Sequence, residues 1–463
     1  MTNNLFCIND MSQNHSGRSL AICDRILIFQ ELNIPCLLTT FAFNSDILNV
    51  FDQQNINLEL TSNMYLSLIF DIQNLSELQN PDTKWSENSH QTSTGILVFS
   101  DLLNQSGELL SRSYYANTES NIRYKFRTDY FGKNQKLRLQ EFYDENEILL
   151  SARYWDNQEW LVFQTKSELI TYYLNKLIGD QSTILYSDAV NEEEQAIYNT
   201  LANKYIIGRV NILHAEHLTQ YQTIRPGYRN MLLSKNSNTW YVCGTQRQVY
   251  DLKQLGLTNS LNIPPISGTT ESTINTSQTA NDFLVLVSRI DPVKRVEDAI
   301  TAVTLAHKVN PNISFEIWGQ PEDAQYQKKL DELITTSMAN EFIKFMGPTT
   351  RPIEVFQRAN LALVCSKEEG FARTITESLS AGTPLVGYQT EYGPKEMIID
   401  SKTGISVPDG DTDALSQAIL SGLKQFSNEK SRCNAAHWVN TYAGRSVIAN
   451  KWNNLVKRVN SNA

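Results

Sequence analysis

The sequence predicts an α/β protein with two doubly wound halves and an antiparallel β-sheet inserted in the first half. Short apolar runs alternate with helical stretches near the start of the chain and again after residue 282. Between about residues 92 and 164 the hydrophobic period falls towards two, which is typical of strands. The chain has 463 residues, which is enough for two to four domains.

The composition excludes several classes of protein. Hydrophobic residues make up 41% of the chain and charged residues 19%, which suits packed cores rather than disorder. No apolar run approaches the roughly 18 residues of a spanning helix, and the first ten residues do not resemble a secretion signal. We therefore expect a cytoplasmic protein, and peripheral contact with the inner face of the membrane would fit this expectation.

The net charge and the cysteines indicate which ligands and which metal sites to expect. The net charge of -10 argues against a nucleic-acid partner but leaves room for a local phosphate pocket. The six cysteines are scattered, with no CxxC pair and no clustering with the histidines, so we expect reduced thiols and no structural zinc site.

The first half opens as a doubly wound domain and is then interrupted. A strand at 5–8, a helix at 19–32 and a strand at 34–43 are predicted first. An aromatic-rich meander follows, with strands predicted at 95–100, 108–115, 122–128, 137–143, 148–154 and 160–163. After it come a helix at 167–177, a strand at 184–187, a helix at 192–201 and a strand at 206–213. The predicted domain boundaries are 1–75 and 166–265 for the N-terminal domain and 76–165 for the insertion.

The second half follows a Ser/Thr/Asn-rich stretch at 267–280, which is predicted to be a linker or an exposed loop. Strands and helices then alternate from residue 283 to residue 387, and a terminal helix is predicted at 445–459. Strands of three to five apolar residues separated by helices indicate a parallel sheet buried on both faces. We assign residues 266–463 to this C-terminal domain.

Two cations follow the first predicted strand of the second half. Arg289 and Lys294 lie in the loop between that strand and the start of a helix. Ligands of doubly wound folds bind at this carboxyl edge of the sheet. Arginine binds phosphate oxygens in pairs and lysine adds a point charge, so the two residues favour a diphosphate pocket. A solvated basic loop is the alternative for this segment alone.

Two glutamates mark a later loop of the same half. Glu369 follows the strand predicted at 361–365, and Glu377 lies about one turn into the next helix. The free N–H groups at that helix start suit an anion, and the carboxylates can accept hydrogen bonds from sugar hydroxyls or a ribose diol. Two solvent-exposed carboxylates are the alternative, but the cations in the same half favour a ligand site.

These residues resemble the retaining nucleotide-sugar glycosyltransferases of family 4, which have the GT-B fold of two Rossmann-like domains. The family's E-x7-E element matches Glu369 and Glu377, and its Arg…Lys element matches Arg289 and Lys294. The likeness extends over residues 287–409. It implies a UDP-sugar donor, retention at the anomeric carbon, and no requirement for a metal or another cofactor.

The resemblance also implies roles for single residues. Arg289 and Lys294 would stabilise the leaving diphosphate, Glu369 would position the sugar, and Glu377 would hold the ribose. The loop and helix start between the two glutamates would also contact the donor, through Gly370, Phe371, Ala372, Arg373 and Thr374.

A narrower resemblance concerns the first half. Its β-rich insertion is similar to that of two bacterial branches, one adding N-acetylglucosamine to serine-rich repeat adhesins and one glycosylating wall teichoic acid. His214 and His217 resemble the adhesin branch, and residues 392–395 resemble the teichoic branch. At least one of the two histidines is expected to contact the sugar or the transition state, with a structural role as the alternative. Gly17 is assigned to the donor site because a similar loop packs near the donor phosphates in both branches.

Two features depart from the family pattern. Gly-Leu usually follows Glu-Gly-Phe, whereas Ala372 and Arg373 stand here. Alanine still allows a backbone contact, but Arg373 adds a charge near the donor or the acceptor and leaves the sugar preference open. The N-terminal loop also has one glycine, Gly17, where the family usually has a pair.

Two other segments have simpler interpretations. The acidic residues at 409–413 look like a calcium loop but lack the spacing of an EF-hand, so we predict no metal site. The aromatic side chains of the insertion are expected in the core of the sheet, with a carbohydrate platform or a partner surface as alternatives.

The predicted function is transfer of a hexose or N-acetylhexosamine, with GlcNAc favoured over glucose, from a UDP-sugar to Ser/Thr hydroxyls of a bacterial adhesin-type protein. Glycosylation of wall teichoic acid is one alternative, and the net charge of -10 argues modestly against that polyanion. A non-catalytic accessory subunit is the other, and the intact donor residues argue against it. The expected partners are the UDP-sugar, an acceptor protein or cell-wall polymer, an accessory glycosyltransferase-like subunit docked through the β insertion, and a second copy of the chain.

Overall fold

The computed structural model of the chain describes residues 2–11, 17–44, 47–78, 85–104, 106–118, 120, 122–188, 203–219, 221–233, 238–266 and 282–463. The predicted helix at 192–201, the predicted linker at 267–280 and part of the predicted loop before Gly17 lie outside these residues.

The strands are, in chain order, β1 (Asn3–Ile8), β2 (Cys36–Thr40), β3 (Thr61–Asn63), β4 (Ser86–Gln91), β5 (Leu97–Leu103), β6 (Leu109–Asn117), β7 (Arg123–Phe131), β8 (Leu137–Tyr143), β9 (Leu149–Asp156), β10 (Glu159–Phe163), β11 (Thr183–Ser187), β12 (Ile206–Leu213), β13 (Thr239–Cys243), β14 (Ser260–Asn262), β15 (Asp282–Val287), β16 (Ile313–Trp318), β17 (Ile343–Gly347), β18 (Leu361–Val364), β19 (Leu385–Tyr388) and β20 (Gly404–Val407).

The α-helices are α1 (Gly17–Glu31), α2 (Ile47–Gln53), α3 (Met64–Phe70), α4 (Lys166–Ile178), α5 (Pro226–Leu233), α6 (Gln246–Gln254), α7 (Val296–Val309), α8 (Ala324–Thr336), α9 (Pro352–Arg358), α10 (Arg373–Ser380), α11 (Gly393–Met397), α12 (Thr412–Gln425), α13 (Glu429–Ala443) and α14 (Arg445–Ser461). None of the helices in the described residues is long and apolar enough to cross a membrane.

Two of the three sheets have doubly wound strand orders. The first sheet has the order β14-β13-β12-β11-β1-β2-β3, and β12, β11, β1, β2 and β3 pair in parallel. The second is wholly parallel, with the order β17-β16-β15-β18-β19-β20. In both sheets the strand order reverses beside the first strand. The predicted fold class is confirmed.

The third sheet is the predicted insertion between α3 and α4, an antiparallel meander of β4 to β10. It has one strand more than the six predicted, because β4 was missed. The sequence of β4 is wholly polar and its side chains are exposed, so this edge strand shows no hydrophobic alternation to detect. Of the aromatic side chains expected in the core, Tyr130, Tyr154 and Phe163 are buried, whereas others such as Tyr114 and Trp160 are only partly buried.

A buried carboxylate fastens the insertion to its flanking helices. Glu141 on β8 is 1% exposed. Its Oε1 accepts hydrogen bonds from Tyr65 on α3 at 2.7 Å and Lys166 on α4 at 3.0 Å, and its Oε2 from Tyr130 at 3.0 Å and Tyr143 at 2.6 Å. Burial alone would raise the pKa of Glu141, but the Lys166 charge and the tyrosine hydrogen bonds outweigh it and lower that pKa.

The chain divides into two compact units. Unit 1 comprises residues 1–212, 224–240 and 456–463, and unit 2 comprises residues 213–223 and 241–455. The end of α14 therefore belongs to unit 1. There Val459 packs where a Cβ at Gly208 would clash, and Asn238 donates from Nδ2 to the carbonyl oxygens of Ile207 and Val459.

In unit 2 the second sheet is buried on both faces. Leu284 and Leu286 of β15 join one apolar cluster, whereas Phe283 and Val285 join another. Successive side chains of a strand point to opposite faces, so an unbroken apolar run is what this position requires. The six cysteines of the chain are all free, and five of them are buried.

Candidate active site

The predicted donor residues follow the two strands at the reversal point of the second sheet. The pairs Leu284–Leu361 and Val285–Ala362 join β15 directly to β18. The strands wind away on either side, so the loops after β15 and β18 diverge and leave a crevice at the carboxyl edge. Arg289 and Lys294 lie after β15, and Glu369 lies after β18.

Lys294 and Glu369 form the centre of this arrangement. Lys294 Nζ donates to Glu369 Oε1 at 2.5 Å, and the two side chains are 14% and 16% exposed. Ser366 Oγ donates to the same oxygen at 2.8 Å. Among the described residues, both donors to this carboxylate share Oε1, so Oε2 accepts no hydrogen bond from them. One edge of the carboxylate is therefore available to a hydroxyl.

The backbone of the two loops holds this pair in place. Asp291 accepts a hydrogen bond from the N–H of Val293 and caps the short 3-10 helix Pro292–Lys294. The N–H of Lys367 donates to the carbonyl oxygen of Val293 at 2.8 Å. The loop that carries Lys294 is thus tied directly to the loop that carries Glu369.

Arg289 lies at the mouth of the crevice and is more open. Its guanidinium contacts Glu322 Oε1 at 2.6 Å and Asp291 Oδ2 at 3.3 Å, and its side chain is 60% exposed. Partial burial opposes the charged form, but the hydrogen bond that Arg289 donates to Glu322 and the charges of Asp291, Glu322 and Glu369 outweigh it and raise the pKa of Arg289. It therefore remains a cation that can turn towards an anion.

Glu377 lies on α10, with Arg373 as its neighbour. Arg373 is the first residue of α10, and its Nε lies 3.4 Å from Glu377 Oε1. Ala372, just before the helix, has φ +61° and no capping side chain. That left-handed backbone is the conformation glycine adopts most readily, so this loop keeps the path of a Glu-Gly-Phe-Gly sequence with an alanine in place.

Gly370 allows the segment that carries His214 to pack against the loop that carries Glu369. A Cβ at Gly370 would clash with the carbonyl oxygen of His214 and crowd Ala215, so only glycine lets this loop pack there. Phe371 in turn packs where side chains at Gly244 and Gly393 would clash. His214 is partly exposed.

His217 is fully buried, at 0% exposed. Its Nδ1 lies 3.3 Å from Gln248 Nε2 and 3.5 Å from the Tyr392 hydroxyl, and its ring stacks on Tyr392. Gln248 Nε2 also donates to the carbonyl oxygen of Ala215 at 2.9 Å. Burial lowers the pKa of His217 to about 4, so the imidazole is neutral near pH 7.

Backbone pairing extends the connection from His217 to the donor loop. Tyr392 N donates to the carbonyl oxygen of Glu369 at 2.5 Å, and Glu369 N donates to that of Glu391 at 3.0 Å. Of the two predicted histidines, His214 is therefore the one with solvent access, whereas His217 packs behind the Glu369 loop.

The structure places the remaining predicted residues as follows. Gly370, Phe371, Ala372 and Thr374 belong to the loop and first turn around α10, in unit 2. Gly17 begins α1 in unit 1. The sequence prediction missed Ser366 and Gln248, and it noted residues 392–395 for their resemblance to the teichoic branch without predicting the contact of Tyr392 with His217. Only Ser366 had a local signal, since it is a hydroxyl three positions before Glu369 at the end of β18.

The acidic segment at 409–413 has structural partners. Asp409 pairs with Arg295 at 2.5 Å, and Asp411 caps α12 by accepting from the N–H of Ala414 at 2.9 Å. No group of three or more His, Cys, Asp or Glu side chains in the described residues could hold a metal ion.

Comparison with known protein families and curated proteins supports the resemblance. Residues 269–437 match the family described as glycosyl transferases group 1. The GtfA subunit of the UDP-N-acetylglucosamine–peptide N-acetylglucosaminyltransferase of Limosilactobacillus reuteri subsp. suis is 23% identical over 65% of this chain and 61% of that protein. The chain thus spans less than two thirds of that relative. A Staphylococcus aureus poly(ribitol-phosphate) alpha-N-acetylglucosaminyltransferase is 20% identical over 97% of this chain and 98% of its own length.

Solved structures give the fold. The pneumococcal O-GlcNAc transferase GtfA, in complex with UDP and GlcNAc, has a TM-score of 0.69 at 18% identity and covers 99% of both chains. A variant of Staphylococcus aureus TarM in complex with UDP has a TM-score of 0.71 at 18% identity, over 98% of this chain and 99% of its own. The predicted GT-B fold and the likeness to group 1 glycosyltransferases of these two branches are confirmed.

Proposed function

We propose that this protein is a retaining glycosyltransferase that moves a hexose or N-acetylhexosamine, with GlcNAc favoured, from a UDP-sugar to Ser/Thr hydroxyls of a protein. One observation carries the proposal: Lys294 and Glu369 meet at the reversal point of a doubly wound sheet. A cation and a half-occupied carboxylate side by side suit a diphosphate joined to a polyhydroxyl ring.

The chemistry follows from the charges. As the bond from the anomeric carbon to the diphosphate breaks, negative charge grows on the leaving phosphate, and Lys294 and Arg289 would stabilise it. The two cations would serve without a metal ion. Glu369 would orient the sugar through Oε2, and Glu377 would accept from the ribose.

The acceptor proton needs a destination. In a front-face reaction the leaving phosphate oxygen takes the proton from the acceptor hydroxyl while the new glycosidic bond forms on the same face of the sugar. His214, which is partly exposed and whose backbone lies beside Gly370, would hydrogen-bond with the sugar or the leaving oxygen. His217 would act behind it, since it is buried.

The acceptor is proposed to be protein. The peptide acceptor in the name of the Limosilactobacillus relative supports it, and the net charge of -10 disfavours a polyanion. A polyol-phosphate polymer is the second candidate, because the Staphylococcus aureus relative named for it matches almost the whole chain.

The partners are part of the same proposal. The Limosilactobacillus relative is named as a subunit, which supports an accessory protein that would dock on the β insertion. Self-association through that insertion is a further proposal. A cytoplasmic location, with peripheral contact to the inner membrane face, rests on the features of the sequence.

The test is a transfer assay with labelled UDP-GlcNAc and UDP-glucose, each with a serine-rich peptide and with a ribitol-phosphate polymer. We expect label on the peptide from UDP-GlcNAc. The Glu369→Gln variant should abolish transfer, and Lys328→Leu should leave it unchanged, because Lys328 lies on the exposed face of α8. Label on the polymer alone would select the second candidate. Full activity of Glu369→Gln would refute the site.

A further inference from the structure

A second ion pair follows Glu369 in the chain, within α10. Arg373 and Glu377 form a pair within α10, with 19% and 13% of their side chains exposed. The contact runs from Nε to one oxygen at 3.4 Å, which is long for a charge-assisted hydrogen bond. In contrast, Lys294 lies 2.5 Å from Glu369.

Arg373 is badly placed if its role is to stabilise the helix. It is the first residue of α10, where the helix dipole is positive and a cation is unfavourable. The order of the pair is also unfavourable, because a glutamate four residues before a cation is the better arrangement. The first turn of α10 contains no acidic residue to compensate. A residue that conflicts with its local surroundings in this way indicates a functional role.

The direction of the side chain adds to this. Side chains near the start of a helix lean towards its N-terminus, so a guanidinium at the first position of α10 can reach past the start of the helix. The loop at 369–372 lies immediately before that start. This is where the proposed function puts the diphosphate.

We propose that Arg373 is a third diphosphate-binding cation and that the donor exchanges its partner. On this proposal, which rests on the proposed function, Arg373 leaves Glu377 for the diphosphate, and Glu377 then accepts from the ribose diol. A diphosphate carries more negative charge than one carboxylate and offers paired oxygens to the guanidinium fork, so it is the stronger partner. One donor would thus bind both members of the pair.

The test distinguishes a contact of Arg373 with the diphosphate from an effect on the ribose. Affinities for uridine, UDP and UDP-GlcNAc are measured by calorimetry or by competition, for the unmodified chain and for Arg373→Leu. We expect Arg373→Leu to weaken UDP and UDP-GlcNAc about tenfold or more and to leave uridine within about twofold. Equal weakening of uridine and UDP would mean that Arg373 acts only through Glu377 and would overturn the proposal, as would no change for any ligand.

A double-variant cycle gives a second, independent reading. In a Glu377→Gln background, Arg373→Leu should still weaken UDP about tenfold, because its partner would be the diphosphate. Loss of that effect in the Glu377→Gln background would overturn the proposal. Arg373→Lys should recover part of the UDP affinity, and Arg373→Gln replaces Arg373→Leu in the cycle if the leucine variant fails to fold.

A matched control and the unmodified chain complete the design. Lys328→Leu removes a cation that also has a glutamate four residues later, Glu332, but on the exposed face of α8. It should leave all three affinities unchanged. If the unmodified chain binds no UDP, the proposed function itself fails. If it binds UDP and Arg373→Leu binds equally well, only the role of Arg373 fails.

Discussion

Glu141 and Glu369 each accept from a lysine, but their other oxygens have different surroundings. Glu141 in unit 1 uses both oxygens, with Lys166 and three tyrosines as donors. Glu369 in unit 2 receives Lys294 and Ser366 on Oε1, and no described residue donates to Oε2.

The difference separates a carboxylate with a structural role from one that could still bind a ligand. A buried carboxylate with every acceptor position used stabilises one arrangement of the chain and has no capacity left for a ligand. A carboxylate that is partly exposed and half used costs less to rearrange and can take a hydroxyl. We therefore expect changes at Glu141 to affect stability, and changes around Glu369 to affect transfer.

The largest expected effect is on activity. Lys294→Ala should lower kcat/KM for transfer about 10³-fold, or about 4 kcal/mol, because the growing phosphate charge would lose the cation that we propose stabilises it. The thermal midpoint should change by less than about 2 °C, since the pair is partly exposed. Steady-state kinetics with UDP-GlcNAc and a melting curve measure both. A large drop in the melting temperature with retained transfer would mean that Lys294 stabilises the fold rather than the reaction, which would contradict the proposed difference between Glu141 and Glu369.

Glu141→Gln should give the opposite pattern. Removal of one charge from a buried pair costs about 3 kcal/mol of stability, and the three tyrosines lose their charged acceptor. Urea unfolding measures the cost, and kcat/KM at low temperature should stay within about twofold. The matched change Glu159→Gln on β10, whose side chain is exposed, should alter neither quantity. A loss of kcat/KM in folded Glu141→Gln protein would contradict the structural role.

His217, which is buried behind the loop of Glu369, is expected to affect the pH dependence of stability. Its pKa is lowered to about 4 in the folded chain, and the groups that face its ring, Gln248 and Tyr392, are neutral near pH 7. The unfolded chain takes up a proton near the ordinary pKa of about 6.5, so the folded state loses stability as pH falls below that value.

We expect this histidine to account for about 2 kcal/mol of stability lost between pH 7 and pH 5. The free energy of unfolding, measured in urea at each pH, should fall less steeply with decreasing pH in His217→Gln than in the unmodified chain. The exposed His437→Gln serves as the control and should keep the original slope. An unchanged slope in His217→Gln would mean that the imidazole takes up its proton in the folded chain as easily as in water.

The smallest effects come from removing one hydroxyl at each site. Ser366→Ala should lower kcat/KM about fivefold with no change in stability, because Lys294 still holds Oε1 of Glu369. Tyr143→Phe should cost about 1 kcal/mol of stability with no change in kcat/KM, because Glu141 keeps three of its donors. Equal effects of both variants on stability would remove the distinction between the two carboxylates.

The fold could be predicted where side-chain periodicity records burial. β15 shows this, since its unbroken apolar run reflects a strand covered on both faces. β4 was missed because it is polar and exposed, and β3 and β14 because three residues are too short to show a period. Pairing with a neighbouring strand creates these elements, and pairing leaves no pattern in the local sequence.

The candidate site divides in the same way. Arg289, Lys294, Glu369 and Glu377 could be predicted because the carboxyl ends of parallel strands share one edge. Gln248 and Tyr392 could not, because packing alone brings them to His217. The difference in burial between His214 and His217 could not be predicted either, because the sequence gives no sign of which histidine is covered.

The last turn of α14 has a consequence for the order in which the chain is made. Asn238 donates to Val459, 221 residues later, and the same Val459 packs over Gly208 of β12. A ribosome adds roughly 5–20 residues per second, so Val459 is synthesised on the order of ten seconds or more after Asn238. Until then this surface of unit 1 is not covered by α14. During that time Gly208 and Asn238 lack their native partner and are open to a chaperone. A premature stop before residue 456 would make that exposure permanent. The truncation would therefore destabilise unit 1, most of which is synthesised first.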